Sequence, residues 1–150
     1  MPPILSSFND AYKVLGEFIA NSENILKVEK LSEKIAQCFQ AGGKIIIFGN
    51  GGSACDAAHF AEEFTGRYRK ERKALPVITV NDAGHLTCVA NDYGFEQVFS
   101  RTVQAFCKPD DIVIGLSTSG NSENVKRAMD VATELNATTV ALIGKDGGKM

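Results

Sequence analysis

Two side chains able to move a proton or hold a metal, His59 and Glu63, stand four residues apart. On a helix this spacing puts both on one face. An imidazole and a carboxylate so placed can share a zinc-like ion or work as an acid/base pair beside an anchored substrate. They can also form a plain surface contact. Immediately upstream lies Gly49-Asn50-Gly51-Gly52-Ser53, preceded by the apolar run Ile45–Phe48 and followed by good helix formers from Ala54 to Phe64. Strand, glycine turn and helix start form an anion-binding architecture. First-turn N–H groups lack an intrahelical acceptor, and the helix dipole adds positive charge there. Ser53 takes the helix N-cap position in this reading. The loop Gly49–Ser53 is expected to face a small phosphorylated ligand.

A second loop, Ser117-Thr118-Ser119-Gly120-Asn121-Ser122, has the same placement between a strand and a helix. An ordinary N-cap accounts for one serine, but not for four hydroxyls beside a glycine. Hydroxyl and backbone N–H groups together make a second anion cradle. Neither Gly-x-Gly-x-x-Gly nor Gly-x-x-x-x-Gly-Lys-Ser/Thr occurs, so a nucleotide is not the default ligand.

Positioning these loops falls to a chain of alternating strands and helices. Residues 4–20 carry Leu5, Phe8, Tyr12, Leu15, Phe18 and Ile19 at helical spacing, and a second helix runs to about Ala41 before Gly42-Gly43 stops it. Together they have more apolar surface than one sheet face needs. The first is expected to pack on another subunit, with covering of this domain's own core the alternative. The central helix is followed by Arg67–Lys73, five basic residues in seven. That run reads as a solvated loop, with Arg67 singled out as able to meet a phosphate or carboxylate. Strands are expected at 75–80, 111–116 and 138–143, and helices at 83–90, 95–106 and 123–135. Asn91-Asp92-Tyr93-Gly94 has the composition of a turn, although Asn91 and Asp92 also suit a site at a strand end. His85 reads as a helix-surface residue. The alternation and the continuous β-branched strands imply an α/β fold, a parallel doubly wound sheet, in which ligands sit beyond the carboxyl ends of strands.

Composition narrows the function classes. The chain has 150 residues, 44% hydrophobic and 23% charged, which suits one soluble domain. A net charge of −2 gives no reason to expect nucleic acid or an anionic membrane as partner. No apolar run approaches a transmembrane length, and the N-terminus lacks the basic-then-apolar pattern of a signal peptide. Cys38, Cys55, Cys88 and Cys107 are scattered, as expected for reduced thiols in the cytoplasm. Cys55 is expected to be a buried, inert thiol.

The glycine loop, the serine loop and Gly144-Lys145-Asp146-Gly147-Gly148 together resemble the sugar isomerase (SIS) fold, a three-layer α/β domain. Cys55–Glu63, Thr65-Gly66-Arg67-Tyr68-Arg69 and Asn91-Asp92-Tyr93-Gly94-Phe95 resemble the phosphoheptose isomerases within it. That resemblance implies conversion of sedoheptulose 7-phosphate, a phosphorylated seven-carbon sugar, to D-glycero-D-manno-heptose 7-phosphate for lipopolysaccharide heptose. It implies that Ser53, Ser117, Thr118, Ser119 and Ser122 hold the phosphate, and that Asn50, Gly51, Gly52, Asn91 and Asp92 contact the sugar. His59 and Glu63 would bind Zn2+, with Glu63 also touching substrate as the catalytic base. An ene-diol isomerisation needs such a base and an electrophile for the developing oxyanion, which zinc can supply. A homotetramer is implied, with helices 1–41 as an oligomerisation extension of a single 1–150 domain. The resemblance further implies a last strand and long helix beyond Met150, with a glutamine and a histidine that complete the zinc site. The chain is therefore read as truncated, and as weakly active or inactive in this form. The rival readings are a non-catalytic SIS protein that binds the bacterial replication initiator protein, and a phosphosugar sensor. His59 and Glu63 argue against the former, which lacks paired zinc ligands.

Overall fold

The structure is a computed structural model and describes residues 2–150. It divides into two compact units, residues 1–37 and 38–150. The first consists of helix α1 (Pro3–Ala20) and most of α2 (Ser22–Gln40). Pro3 starts α1 where its missing N–H costs nothing. Asn24 Nδ2 donates to the Phe18 carbonyl and Asn21 Oδ1 accepts from the Glu23 N–H, so two asparagines form the corner between the helices. No residue of α1 is buried, and Phe8 and Tyr12 are 71% and 80% exposed.

The second unit is a four-stranded parallel sheet in the order β2-β1-β3-β4. Its elements run β1 (Ile45–Gly49), α3 (Gly52–Thr65), β2 (Val77–Thr79), α4 (Ala83–Tyr93), a 3-10 turn (Phe95–Gln97), α5 (Ser100–Phe106), β3 (Ile112–Ser117), α6 (Glu123–Glu134) and β4 (Thr138–Ile143). β1 is central, pairing with β2 on one side and β3 on the other. Its Ile45, Ile46, Ile47 and Phe48 are fully buried, as expected of a parallel strand covered on both faces. Ile46, Phe48 and Val113 pack with Val89, Val98, Phe99, Val103, Val125 and Ala128 from the helices of one face. The Phe48 and Phe99 rings stack at 5.0 Å. α3 lies against β1 and β2 with Ala57 and Ala61 buried.

Several expectations change. β2 is only three residues long, because Leu75 donates its N–H to Phe64 at the end of α3 instead of to the sheet. The amphipathic stretch 95–106 breaks into the 3-10 turn and α5. His85 is partly buried, not a surface group. Its Nε2 lies 2.9 Å from the Val98 carbonyl and 3.0 Å from Thr102 Oγ1. A carbonyl only accepts, so Nε2 carries the proton and ties α4 to the start of α5.

At the opposite end of the sheet from the loops, Asp111 is buried and collects three hydrogen bonds. They come from the backbone N–H groups of Lys44 (2.9 Å) and Lys108 (2.7 Å) and from the Lys44 ammonium. These bonds pin the start of β1 beside the start of β3. Burial, and then the Asp111 charge, pushes the neighbouring Cys38 thiol up from its usual pKa. A hydrogen bond to the Asp92 carboxylate raises that of Cys88. All four cysteines are free. Cys55, expected to be buried, is exposed on α3, since Ala57 and Ala61 supply that helix's inward face. Iodoacetamide at neutral pH is therefore expected to label Cys55 first and Cys38 last, as read by peptide mass mapping. Cys38 labelled ahead of Cys55 would contradict this packing.

Within the basic run, Arg67 pairs with Glu71 at 3.1 Å on the surface. Arg72 has the structural role. Its guanidinium donates to the carbonyls of Glu63, Phe64, Gly66 and Lys73, closing the C-terminus of α3. A planar fork of five donors at the negative end of a helix can do this, and a lysine ammonium cannot span it. Arg72→Ala is expected to cost about 1–2 kcal/mol and to lower Tm by a few degrees, with little rescue by Arg72→Lys.

Candidate active site

The strand order places the carboxyl ends of β1 and β3 side by side, with α3 leaving β1 toward β2 and α6 leaving β3 toward β4. This is the point where the winding of the sheet reverses, and a crevice forms there. Both loops singled out in the sequence emerge at it.

After β1 the chain turns at Gly51, whose φ of +55° favours glycine, and α3 begins at Gly52. Gly51 is the cap, so Ser53 lies inside the helix instead of capping it. Its N–H donates to the Asn50 carbonyl at 3.0 Å. After β3, Ser122 does hold the N-cap position of α6, yet its hydroxyl makes no capping bond. Instead Ser117 Oγ and Ser122 Oγ lie 3.0 Å apart across the loop. Ser119 Oγ accepts from the Asn121 N–H at 3.2 Å, and Thr118 is exposed. The hydroxyls thus bond within and across the loop instead of closing the helix end.

The loop is braced from outside. The turn after β4 lies against it: Lys149 donates its N–H to the Gly120 carbonyl at 3.0 Å, and Gly144 donates to Ser117 at 3.3 Å. Gly120 has φ of +64°, and a Cβ there would sit 2.0 Å from the Gly147 carbonyl oxygen.

The two loops are joined by an amide pair that sequence reasoning missed. Asn50 Nδ2 donates to Asn124 Oδ1 and Asn124 Nδ2 donates to Asn50 Oδ1, both at 2.9 Å. The pair borders a cleft of about 470 Å³, also lined by Phe95, Glu96, Ser122, Glu123 and Arg127. Arg127 Nε donates to Glu123 at 2.7 Å, which holds the Glu123 carboxyl below its usual pKa.

Farther along α3, His59 Nε2 lies 3.2 Å from Glu63 Oε1 and 3.7 Å from Glu62 Oε1. The donor atoms of His59, Glu62 and Glu63 all lie within 4.8 Å of one another. Ligands about 2.0–2.1 Å from a tetrahedral zinc would be separated by a little over 3 Å; His59 and Glu63 match that spacing, and Glu62 would have to shift toward them to join such a set. Glu62 is an addition to the expected pair. Spacing alone did not mark it, because a three-residue offset beside an acidic neighbour is common on helix surfaces. Asn91 and Asp92 are in the last turn of α4, not in a turn of their own. Gly94, with φ of +93°, ends the helix after them. Their side-chain bonds run to each other and to Cys88, not to either loop.

Residues 8–144 match the SIS domain family. The phosphoheptose isomerase of Fusobacterium nucleatum is 52% identical over 98% of this chain and 76% of its own length. The chain belongs to the phosphoheptose isomerase family. The Vibrio cholerae phosphoheptose isomerase is 49% identical over 98% of this chain and 77% of that protein. Among solved structures, the phosphoheptose isomerase of Neisseria gonorrhoeae superposes with a TM-score of 0.89 at 38% identity, covering 97% of this chain and 76% of the other. The Francisella tularensis phosphoheptose isomerase gives 0.85 at 32%, covering 97% and 78%. The SIS-type α/β fold and membership of this isomerase family therefore stand as expected from the motifs. The chain spans about three quarters of the length of these family members.

Proposed function

We propose that this phosphoheptose isomerase family member interconverts sedoheptulose 7-phosphate and D-glycero-D-manno-heptose 7-phosphate in the cytoplasm, supplying heptose for lipopolysaccharide. The observation that carries this reading is the junction of a glycine loop and a hydroxyl loop at the β1–β3 crevice, in a chain half identical to phosphoheptose isomerases. Ser53, Ser117, Thr118, Ser119 and Ser122 hold the phosphate, with the first-turn N–H groups of α3 and α6 favouring its charge. Asn50, Gly51, Gly52, Asn91 and Asp92 bind the sugar hydroxyls.

Glu63 is the base. It takes a proton from C1 of the ketose and returns it to C2, while one proton passes from O1 to O2; the result is the aldose with no other atom gained or lost. Glu63 is 32% exposed and His59 71%, so a substrate or ion can reach both. His59 and Glu63, with Glu62 beside them, are the residues that would hold zinc. A bound zinc ion would supply Lewis-acid stabilisation of the charge developing on the sugar oxygen. The His59–Glu63 hydrogen bond keeps both side chains aligned on one face. The exposed apolar residues of α1 support a role for residues 1–41 as an oligomerisation extension, in a homotetramer. No helix among the described residues is long and apolar enough to cross a membrane.

Incubation with sedoheptulose 7-phosphate in D2O tests the reading. Formation of the aldose, seen by NMR, is the expected result, with deuterium at C2 in the fraction of turnovers in which the Glu63 carboxyl exchanges its proton with solvent before returning it. Binding of the sugar phosphate without conversion would move the chain to a phosphosugar-binding role. Absence of both would overturn the site.

A further inference from the structure

We infer that Asn124 is a positioning residue for the sugar-phosphate crevice, holding the glycine loop in register with the hydroxyl loop through Asn50. The inference rests on the proposed function for what the crevice binds, but its geometry stands independently.

Asn124 is 4% exposed, in the first turn of α6. Its oxygen accepts from the N–H of Val125 at 2.9 Å and from Asn50 Nδ2 at 2.9 Å, while its own Nδ2 donates back to Asn50 Oδ1. The partners are 74 residues apart in sequence. The order of these bonds fixes orientation. A backbone N–H can only donate, so the Asn124 oxygen must face Val125. The nitrogen must then face Asn50, and the Asn50 amide must present its oxygen to that nitrogen. A flip of either amide would oppose oxygen to oxygen and nitrogen to nitrogen. The backbone of α6 thereby dictates which way Asn50 faces. One N–H and one lone pair of the Asn50 amide remain, at the edge of the cleft, for a sugar hydroxyl.

The pair also sets the separation of the loops. Ser53 and Ala54 donate their N–H groups to the carbonyls of Asn50 and Gly51, each at 3.0 Å. An Asn50 that moves therefore takes the first turn of α3 with it. No other side-chain hydrogen bond links the glycine loop to α6 among the described residues.

Asn124→Asp is the sharp test, because it keeps shape, replaces the donor by an acceptor and adds a negative charge; the exchange measurement without ligand separates the loop effect from repulsion of the phosphate. Its oxygens still accept from Val125 and from Asn50 Nδ2, but a carboxylate oxygen now opposes Asn50 Oδ1. Asn50→Asp breaks the same pair from the partly exposed side and serves if Asn124→Asp does not fold. Hydrogen exchange is measured without ligand, and affinity for sedoheptulose 7-phosphate by calorimetry. Exchange at Ser53 and Ala54 is expected to quicken at least about tenfold, the worth of one hydrogen bond, with β1 and β3 amides unchanged. Kd is expected to rise by a similar factor. In an Asn50→Ala background the Asn124→Asp change should then alter exchange at Ser53 and Ala54 no further, since the residue acts through Asn50.

Unchanged exchange at Ser53 and Ala54 would overturn the inference. So would a uniform rise that includes β1 and β3, which marks a merely structural asparagine. Quickened loop exchange in a protein whose parent form binds no sedoheptulose 7-phosphate would sustain the positioning role and sink the proposed substrate.

Discussion

Glu63→Gln is expected to lower isomerase turnover by about a hundredfold to ten-thousandfold, the usual range for a positioned acid/base group. The amide keeps the size of the side chain and can still bond to His59, now at 3.2 Å from the carboxylate. It cannot accept the proton from C1. Because Glu63 is also proposed to hold zinc, metal content must be read beside rate. A variant that retains zinc after dialysis and loses turnover isolates the base role. His59→Ala is the complement, since it removes a ligand and leaves the base in place. Full activity in Glu63→Gln would end the base assignment whatever the metal content. The pairing with Arg72 adds a control: that guanidinium binds the Glu63 backbone carbonyl, not its carboxylate. The Gln variant should therefore retain the parent Tm to within about 0.5 kcal/mol of stability.

Gly120→Ala is expected to destabilise the fold by about 3 kcal/mol. A left-handed backbone conformation costs an L-residue about 1–2 kcal/mol, and Gly120 has φ of +64°. The added methyl would also sit 2.0 Å from the Gly147 carbonyl oxygen and 2.9 Å from the Gly148 nitrogen. Those are backbone atoms in a turn that itself uses two positive-φ glycines, so no flexible side chain can yield. The turn must move, and the Lys149 N–H to Gly120 bond goes with it. Thermal unfolding should show a fall in Tm of about 6–12 °C, together with weaker phosphate binding. Gly16→Ala is the contrast. It lies in the middle of α1 with nothing within 4 Å of a built Cβ, and should stabilise by about 0.5–1 kcal/mol. Equal effects at the two glycines would refute the strain argument.

The strands β1 and β3 were legible because burial on both faces forces continuous apolar runs, as in Ile45–Phe48 and Ile112–Ile114. The fourth strand was found at its observed bounds. The two loops could be seen because glycines and clustered hydroxyls between a strand and a helix have few other uses. What sequence could not show were contacts between distant residues. Asn124 reads as one more polar residue after a serine cap; its partner is 74 positions away. Arg72 was hidden among neighbouring cations, since nothing local says which of them will reach back to four carbonyls. Asn91 and Asp92 look like a turn by composition, yet α4 carries them because Gly94 two residues later offers the helix its stop. Ser53 looked like a cap because capping preference favours serine, but Gly51 can take the conformation that lets the helix start earlier.

The pairing of β1 with β3 also has a consequence for the order of folding. The glycine loop follows β1 immediately, whereas the hydroxyl loop and Asn124 arrive only with β3 and α6. A nascent chain that has emerged through β2 thus carries half a cradle with no opposing wall. Parallel pairing across such a crossover is slow to nucleate, because loop closure must precede the contacts that reward it. Ligand therefore cannot template the first steps of assembly. It can only trap the late, completed sheet, so added sugar phosphate should slow unfolding while leaving the initial rate of folding unchanged.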